Sequence, residues 1–229
     1  MLMSTEIKIR LSQIYLETAR SYLYCSIRSR PIEELINDEE FHHDKSTFIL
    51  GLASISTLYS YLAIESFVNY NLYELWEHSR TAKKSIDEIK QINPSLDAIP
   101  IYQDFYNKYG KFDDFSEIRK TNLRELKERI KILCKEFRYP QIHELNPELW
   151  RDFTNLLEST RHFFVHPNPE EKEFHKFAQS IIQDVNVFIK YPTIAANLIA
   201  HFYLSAKADI PKYLSENEIF IIKEIVVLK

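Results

Sequence analysis

At 229 residues, 45% of them hydrophobic and 27% charged, with a formal charge of −4, the chain can bury a sizeable core, and its overall charge does not draw it towards nucleic acid. Its two glycines, Gly51 and Gly110, compare with the roughly sixteen that average usage of about 7% would supply. That scarcity excludes glycine-rich nucleotide loops, leaves too few turn residues for a many-stranded sandwich or barrel, and predicts an all-α fold.

The N-terminus alternates charged and apolar residues from Glu6 onward and lacks the unbroken apolar run of a secretory signal, so a cytoplasmic protein is expected. Cys25 and Cys134 lie far apart and read as reduced packing residues. A first helix is predicted over residues 5–28, with Ile7, Leu11, Ile14, Thr18, Tyr22 and Cys25 on one face, and Pro31 marks its end. Residues 37–45 are polar. Within them His42-His43-Asp44 reads as a solvated loop, with metal binding the less favoured alternative.

A long helix is predicted over about 46–80, carrying Leu50, Ala53, Thr57, Tyr61, Ile64, Val68 and Leu72 on its buried face. Residues 46–64 hold no charge, close to the lower length limit for a membrane-spanning helix. They also hold Ser46, Thr47, Ser54, Ser56, Thr57 and Ser60 and no strong basic flank, so a buried central helix is expected and no membrane association. Residues 81–116, broken by Pro94, Pro100 and Gly110, read as an inserted irregular segment with a short helix. No linker separates two domains, so one domain over 1–229 is expected, with residues 192–229 as a C-terminal extension.

Residues 116–138 are predicted as one regular helix with a seam of Leu123, Leu126, Ile130, Leu133 and Phe137. Beside the seam, Lys120, Arg124, Lys127, Lys131, Lys135 and Arg138 form a basic stripe. From Arg119 to Arg138 eight basic residues face three acidic ones, a local excess of five. Such a stripe is either a solvated face or a guide for RNA phosphates. Asn146 and Pro147 then cap and start a helix through Leu149, Trp150, Phe153, Leu157 and Phe164. Asn168, Pro169 and Glu171 open the next, to about Lys190, and Pro192 opens another to about Ala206. In the tail, Ser215 and Glu218 suit a capping box while residues 220–228 are rich in β-branched side chains, with helix favoured.

The residues with chemical potential lie where one helix ends: Glu158-Ser-Thr-Arg161-His162-Phe-Phe-Val-His166-Pro167. Arg161 follows Leu157 by four and precedes Phe164 by three, so it projects from the border of the apolar face. A guanidinium there needs a partner, and Glu158 is the local candidate. Pro167 pushes His166 out of helical geometry, which lets its ring turn back towards Arg161. A fixed cation beside an imidazole that titrates near neutrality suits phosphodiester cleavage. The plainer alternative is an arginine capping carbonyls and a histidine packed on a proline turn. His162 and His166 also share the i, i+4 spacing of a metal pair, but no third ligand is near, so neither a metal nor another cofactor is expected.

Arg161, the polar His162 and His166 at a helix end resemble the signature of the HEPN superfamily (higher eukaryotes and prokaryotes nucleotide-binding domain), and Glu65 and Asn69 are similar to its acid-and-Asn segment. The resemblance implies a HEPN-like antiparallel helical bundle, usually a homodimer, with extra C-terminal helices here. Active members are metal-independent endoribonucleases, often toxins or phage-defence effectors, that leave a cyclic phosphate; for a toxin, a cognate antitoxin would be a partner. Under that reading Arg161 orients the phosphate, His166 is general acid or base, His162 positions the pair, and Glu65 or Glu158 holds Arg161. Other members are non-catalytic dimerisation or nucleotide-binding modules, which is the alternative for this chain.

Overall fold

A computed structural model describes residues 13–21, 39–92, 100–121, 125–158, 160–161 and 190–214. Among these residues helix predominates and no strand occurs. In chain order the elements are α1 (13–21), α2 (Glu39–Ile92), α3 (Pro100–Tyr109), α4 (Phe115–Thr121), α5 (Leu126–Glu136), α6 (Ile142–Leu145), α7 (Pro147–Arg151) and α8 (Lys190–Ser205). A π-helical turn, Asp152–Glu158, continues α7. The helix predicted from Asn168, the ambiguous tail and Cys25 lie outside the described residues.

The central helix is α2, against which α3, α8, α5 and the π turn pack. Its predicted buried face is confirmed at Thr57, Tyr61, Ile64, Val68 and Leu72, and Ala63, Leu75 and Trp76 extend it. The helix is longer than its apolar pattern. It takes in the polar stretch before residue 46, so His42-His43-Asp44 belongs to a helix and not to a loop. It also runs past Thr81 to Ile92, and α3 follows, so much of the segment expected to be irregular is helical. The physical reason is that residues 81–92 contain no glycine or proline, so propensity carries the helix past its apolar pattern. Gly110 ends α3 where the chain passes too close for any side chain: a Cβ would run into the ring and carbonyl oxygen of Tyr106.

Buried side chains join in one hydrophobic cluster, including Leu16 (α1), Ile64 (α2), Phe105 (α3), Ile118 (α4), Leu133 (α5), Ile142 (α6), Phe153 (π turn) and Tyr191 (α8), with the partly buried Leu149 and Trp150 of α7 packed against it. In α1 the predicted period is right but its phase is not. Ile14 is 51% exposed, while Leu16, Ala19 and Arg20 are buried, because Ser56 of α2 donates to the Ala19 carbonyl and Arg20 donates to the Tyr213 carbonyl. Those polar anchors, invisible to hydrophobic counting, turn the helix.

Residues 116–138 are two helices. Glu125 is extended (φ −91°, ψ 138°), and α5 starts after it. No breaker residue marks the site; packing does. Phe115 of α4 lies edge-on to Tyr73 at 5.7 Å between ring centroids and against Trp76, whereas α5 docks further back along α2 through Arg129. One straight helix cannot serve both places. Leu126, Ile130 and Leu133 are buried as the seam requires.

Helix α5 closes with the paired bonds of a Schellman motif, Tyr139 N–H to the Cys134 carbonyl at 2.8 Å and Arg138 N–H to that of Lys135 at 3.1 Å. Helix α8 closes in the same way through Ala208 to Tyr203 and Lys207 to Leu204. Both motifs need a left-handed residue that is normally glycine, and here Arg138 (φ 57°) and Lys207 (φ 54°) take it.

Candidate functional site

Two arginines from different elements meet around Tyr61. The first, Arg129, lies on α5 three residues after Leu126 and four before Leu133, within the apolar face, and is only 3% exposed. It donates from one guanidinium nitrogen to the Glu65 carboxylate at 2.8 Å and from the other to the Asn69 side-chain oxygen. Glu65 and Asn69 stand four residues apart on α2, so one planar fork spans both. Hydrophobic burial of Leu126, Ile130 and Leu133 brings that fork up to α2.

The second, Arg161, arrives by way of α7. Asn146 caps that helix as predicted, its side chain accepting from Leu149 N–H at 3.0 Å, with Pro147 at the first position. Thr154 then donates its hydroxyl to the Trp150 carbonyl at 3.0 Å, a bond that competes with the i−4 ladder where the helix widens into the π turn. Phe153 and Leu157 bury the inner side of that turn. Beyond it, Thr160 is buried and shares a hydrogen bond of 3.0 Å with the hydroxyl of Tyr191 on α8. This bond ties the helix end to the core one residue before Arg161.

Arg161 is half-buried, as its border position predicts. Its guanidinium lies 4.8 Å from the centre of the Tyr61 ring, and its Nε is shut off from solvent with no hydrogen-bond partner. Burial is the main cause that pushes the Tyr61 hydroxyl up to about 12; Glu65 and Glu158 add to the rise, and Arg161 and Arg129 oppose it. All four charged groups therefore act on the same phenol. Burial also raises the Glu158 carboxyl above its ordinary range, against the opposing pull of Lys127, Arg161 and Arg129, while Glu125 adds to the rise.

Of the two acids expected beside Arg161, Glu65 bonds Arg129, and Glu158 is half-buried and acts on Arg161 through its field. What seats Arg161 is an aromatic face. His162 and His166 lie outside the described residues. Arg129 and Tyr61 are the members that sequence reasoning did not single out for chemistry. A guanidinium placed between Leu126 and Ile130 on the apolar face was the available signal.

The basic stripe is divided between two helices. Lys120 is exposed on α4, Arg124 lies outside the described residues, and Lys127, Lys131 and Lys135 are on α5. Lys127 pairs with Glu125 at 3.0 Å, and Lys131 pairs with Glu128 at 3.1 Å and faces the Trp150 ring at 5.9 Å. Arg138 is the left-handed residue that closes α5. Local carboxylates thus offset part of the positive charge that the sequence concentrates there.

Among the described residues no three His, Cys, Asp or Glu side chains gather as a metal site, and no helix is long and apolar enough to cross a membrane. Buried Cys134, its thiol raised to about 11 by burial, is a packing residue with no nucleophilic character. In comparisons with known proteins, no family model, no curated protein and no solved structure matches the chain.

Proposed function

We propose that the chain is a cytoplasmic HEPN-like metal-independent endoribonuclease, of the toxin or phage-defence kind, acting as a homodimer. The observation that carries this reading is Arg161: a half-buried guanidinium held on the aromatic face of Tyr61, with a buried Nε that has no hydrogen-bond partner. A cation held in this way is suited to an oxygen anion brought by a ligand, and phosphate is the anion that the Arg161-to-His166 pattern fits.

In the reaction, His166 takes the proton of a ribose 2′-hydroxyl, and the freed oxygen attacks the neighbouring phosphorus. The bond to the 5′ oxygen breaks, and that oxygen takes a proton from the second subunit's imidazole. The products are a 2′,3′-cyclic phosphate and a 5′-hydroxyl. Arg161 offsets the charge that builds on the phosphate oxygens, and His162 positions the pair.

The test is incubation of purified protein with RNA in EDTA, beside Arg161→Ala and His166→Ala variants. The expected result is chelator-resistant cleavage that falls about 100-fold or more in each variant. Intact RNA with all three proteins, together with a dimer weakened by the same substitutions, would assign these residues to a non-catalytic dimerisation module instead.

A further inference from the structure

We propose that the cavity where the C-terminal ends of α5 and α8 meet the middle of α2 is a second ligand site, built for one planar aromatic ring system that bears a carboxylate. The site is separate from the arginine cluster and does not rest on the reading of Arg161. Tyr61, which seats Arg161, and Phe67, which lines the cavity, are six residues apart on α2. Six steps of about 100° leave them about 120° apart, on different sides of the helix.

The cavity has a volume of about 200 Å³. A void of about 150 Å³ takes benzene, and drug-sized ligands occupy roughly 300–1,000 Å³, so this one suits a fused pair of rings and little more. Its walls are Phe67 and Tyr70 on α2, Phe137 and Tyr139 past the end of α5, and Phe202 and Tyr203 on α8. The rings brace one another: Phe67 lies 5.4 Å from Phe202 and 5.9 Å from Tyr203 between centroids, and Phe137 stacks on Tyr139 at 5.5 Å. Walls of this kind offer edges and faces to an aromatic guest. Asn71 adds an amide to the same lining. Its nitrogen donates to the Phe67 carbonyl at 2.8 Å, which fixes the amide and leaves its oxygen to accept from a ring N–H.

The sign of the ligand follows from the two helix ends. Arg138 stands between Phe137 and Tyr139, and Lys207 between Ala206 and Ala208, which also line the cavity. Both cations are exposed and hold left-handed positions where glycine is the ordinary choice. Lys135, in the last turn of α5, is exposed as well, whereas Glu136 is buried and paired with Lys108 at 2.6 Å. Three cations thus stand against one exposed acid, Asp209. Each helix C-terminus contributes about half a negative charge, which leaves the surroundings positive.

Three probes that share one ring and differ in charge test the site: indole-3-acetate, indole and tryptamine. In isothermal titration the wild-type protein should bind indole-3-acetate at one site per chain, indole about two- to fivefold more weakly, and tryptamine more weakly again. Ala206→Trp, at an exposed position of the lining, should fill the cavity and abolish binding of all three. Asn71→Leu should weaken indole-3-acetate and indole alike, by about fivefold. Arg138→Gly/Lys207→Gly, which suits the left-handed backbone, should bring indole-3-acetate down to the affinity of indole and leave indole unchanged. Arg161→Ala should alter none of these values. Absence of binding to the folded wild type, or binding that survives Ala206→Trp, overturns the site. Tightest binding of tryptamine overturns the carboxylate and makes the rings a cage for cations. Weakening by Arg161→Ala would move the ligand to the arginine cluster and overturn the proposal as well.

Discussion

The α2–α5 seam and the helix end beyond the π turn each present an arginine to the same tyrosine, and they treat it in opposite ways. At the seam Arg129 is buried and bonded to an acid and an amide. At the helix end Arg161 is half-buried and rests on a ring. Each keeps a buried Nε without a hydrogen-bond partner, so what separates them is the set of partners on their other nitrogens. A buried ion pair resists substitution of either member, whereas a guanidinium held by a cation–π contact is worth about 0.5–2 kcal/mol to the fold.

The largest expected effect breaks the comparison at its strong end. Arg129→Ala removes the cation bonded to Glu65 and Asn69 at the helix interface and should cost about 3–5 kcal/mol, whereas Arg161→Ala should cost about 1 kcal/mol. In a chain of this size that is a fall in melting temperature of about 6–20 °C against about 2–4 °C. Thermal denaturation of the two variants decides it; equal losses would mean that both arginines serve the fold alike. Arg129→Met/Glu65→Leu should recover part of the deficit, because two apolar side chains need no partner there while Asn69 still lacks its donor.

Residues on the apolar pattern were legible in the sequence, and those fixed by polar contacts across the core were not. Thr57, Tyr61, Ile64, Val68 and Leu72 follow from spacing alone, as does the Asn146 cap, since both are local rules. The phase of α1 depends on Ser56 and Tyr213, and the break before α5 depends on where Trp76 and Glu65 lie along α2. Neither can be read from a window of neighbours. In the site, Glu65 or Glu158 was expected to hold Arg161, whereas the bond that the structure gives Glu65, with Asn69 beside it, goes to Arg129. Arg129 resembles the other basic residues of its helix until the helix is docked, when it is the one that faces α2.

An intermediate effect sharpens the contrast just past the end of α5. Arg138 sits in left-handed geometry to close the helix, and Lys207 does so for α8. A side chain there costs roughly 1–2 kcal/mol, offset in part by the chain entropy that glycine loses on folding. Arg138→Gly and Lys207→Gly should therefore each raise stability by up to about 1 kcal/mol in denaturant titrations, the reverse of the result at Arg129. A loss of stability in either would mean that its side chain holds the helix end more strongly than its backbone strains it.

The smallest effect concerns Glu158, the acid between the two arginines. Burial, the largest influence on it, disfavours its charged form, and the nearby cations Lys127, Arg161 and Arg129 offset this only in part. The native state therefore holds the proton at pH values where the unfolded chain, with an ordinary carboxyl near 4.5, has released it. Fewer protons on the unfolded state mean that stability falls as pH rises through that window, opposite to the behaviour of a carboxylate held by a salt bridge. Glu158→Gln removes the titration, so the stability of the wild type relative to this variant should decline from just below pH 4.5 upward and then level off. A relative stability that climbs over the same range would show that the cations around Glu158, Lys127 foremost, outweigh its burial.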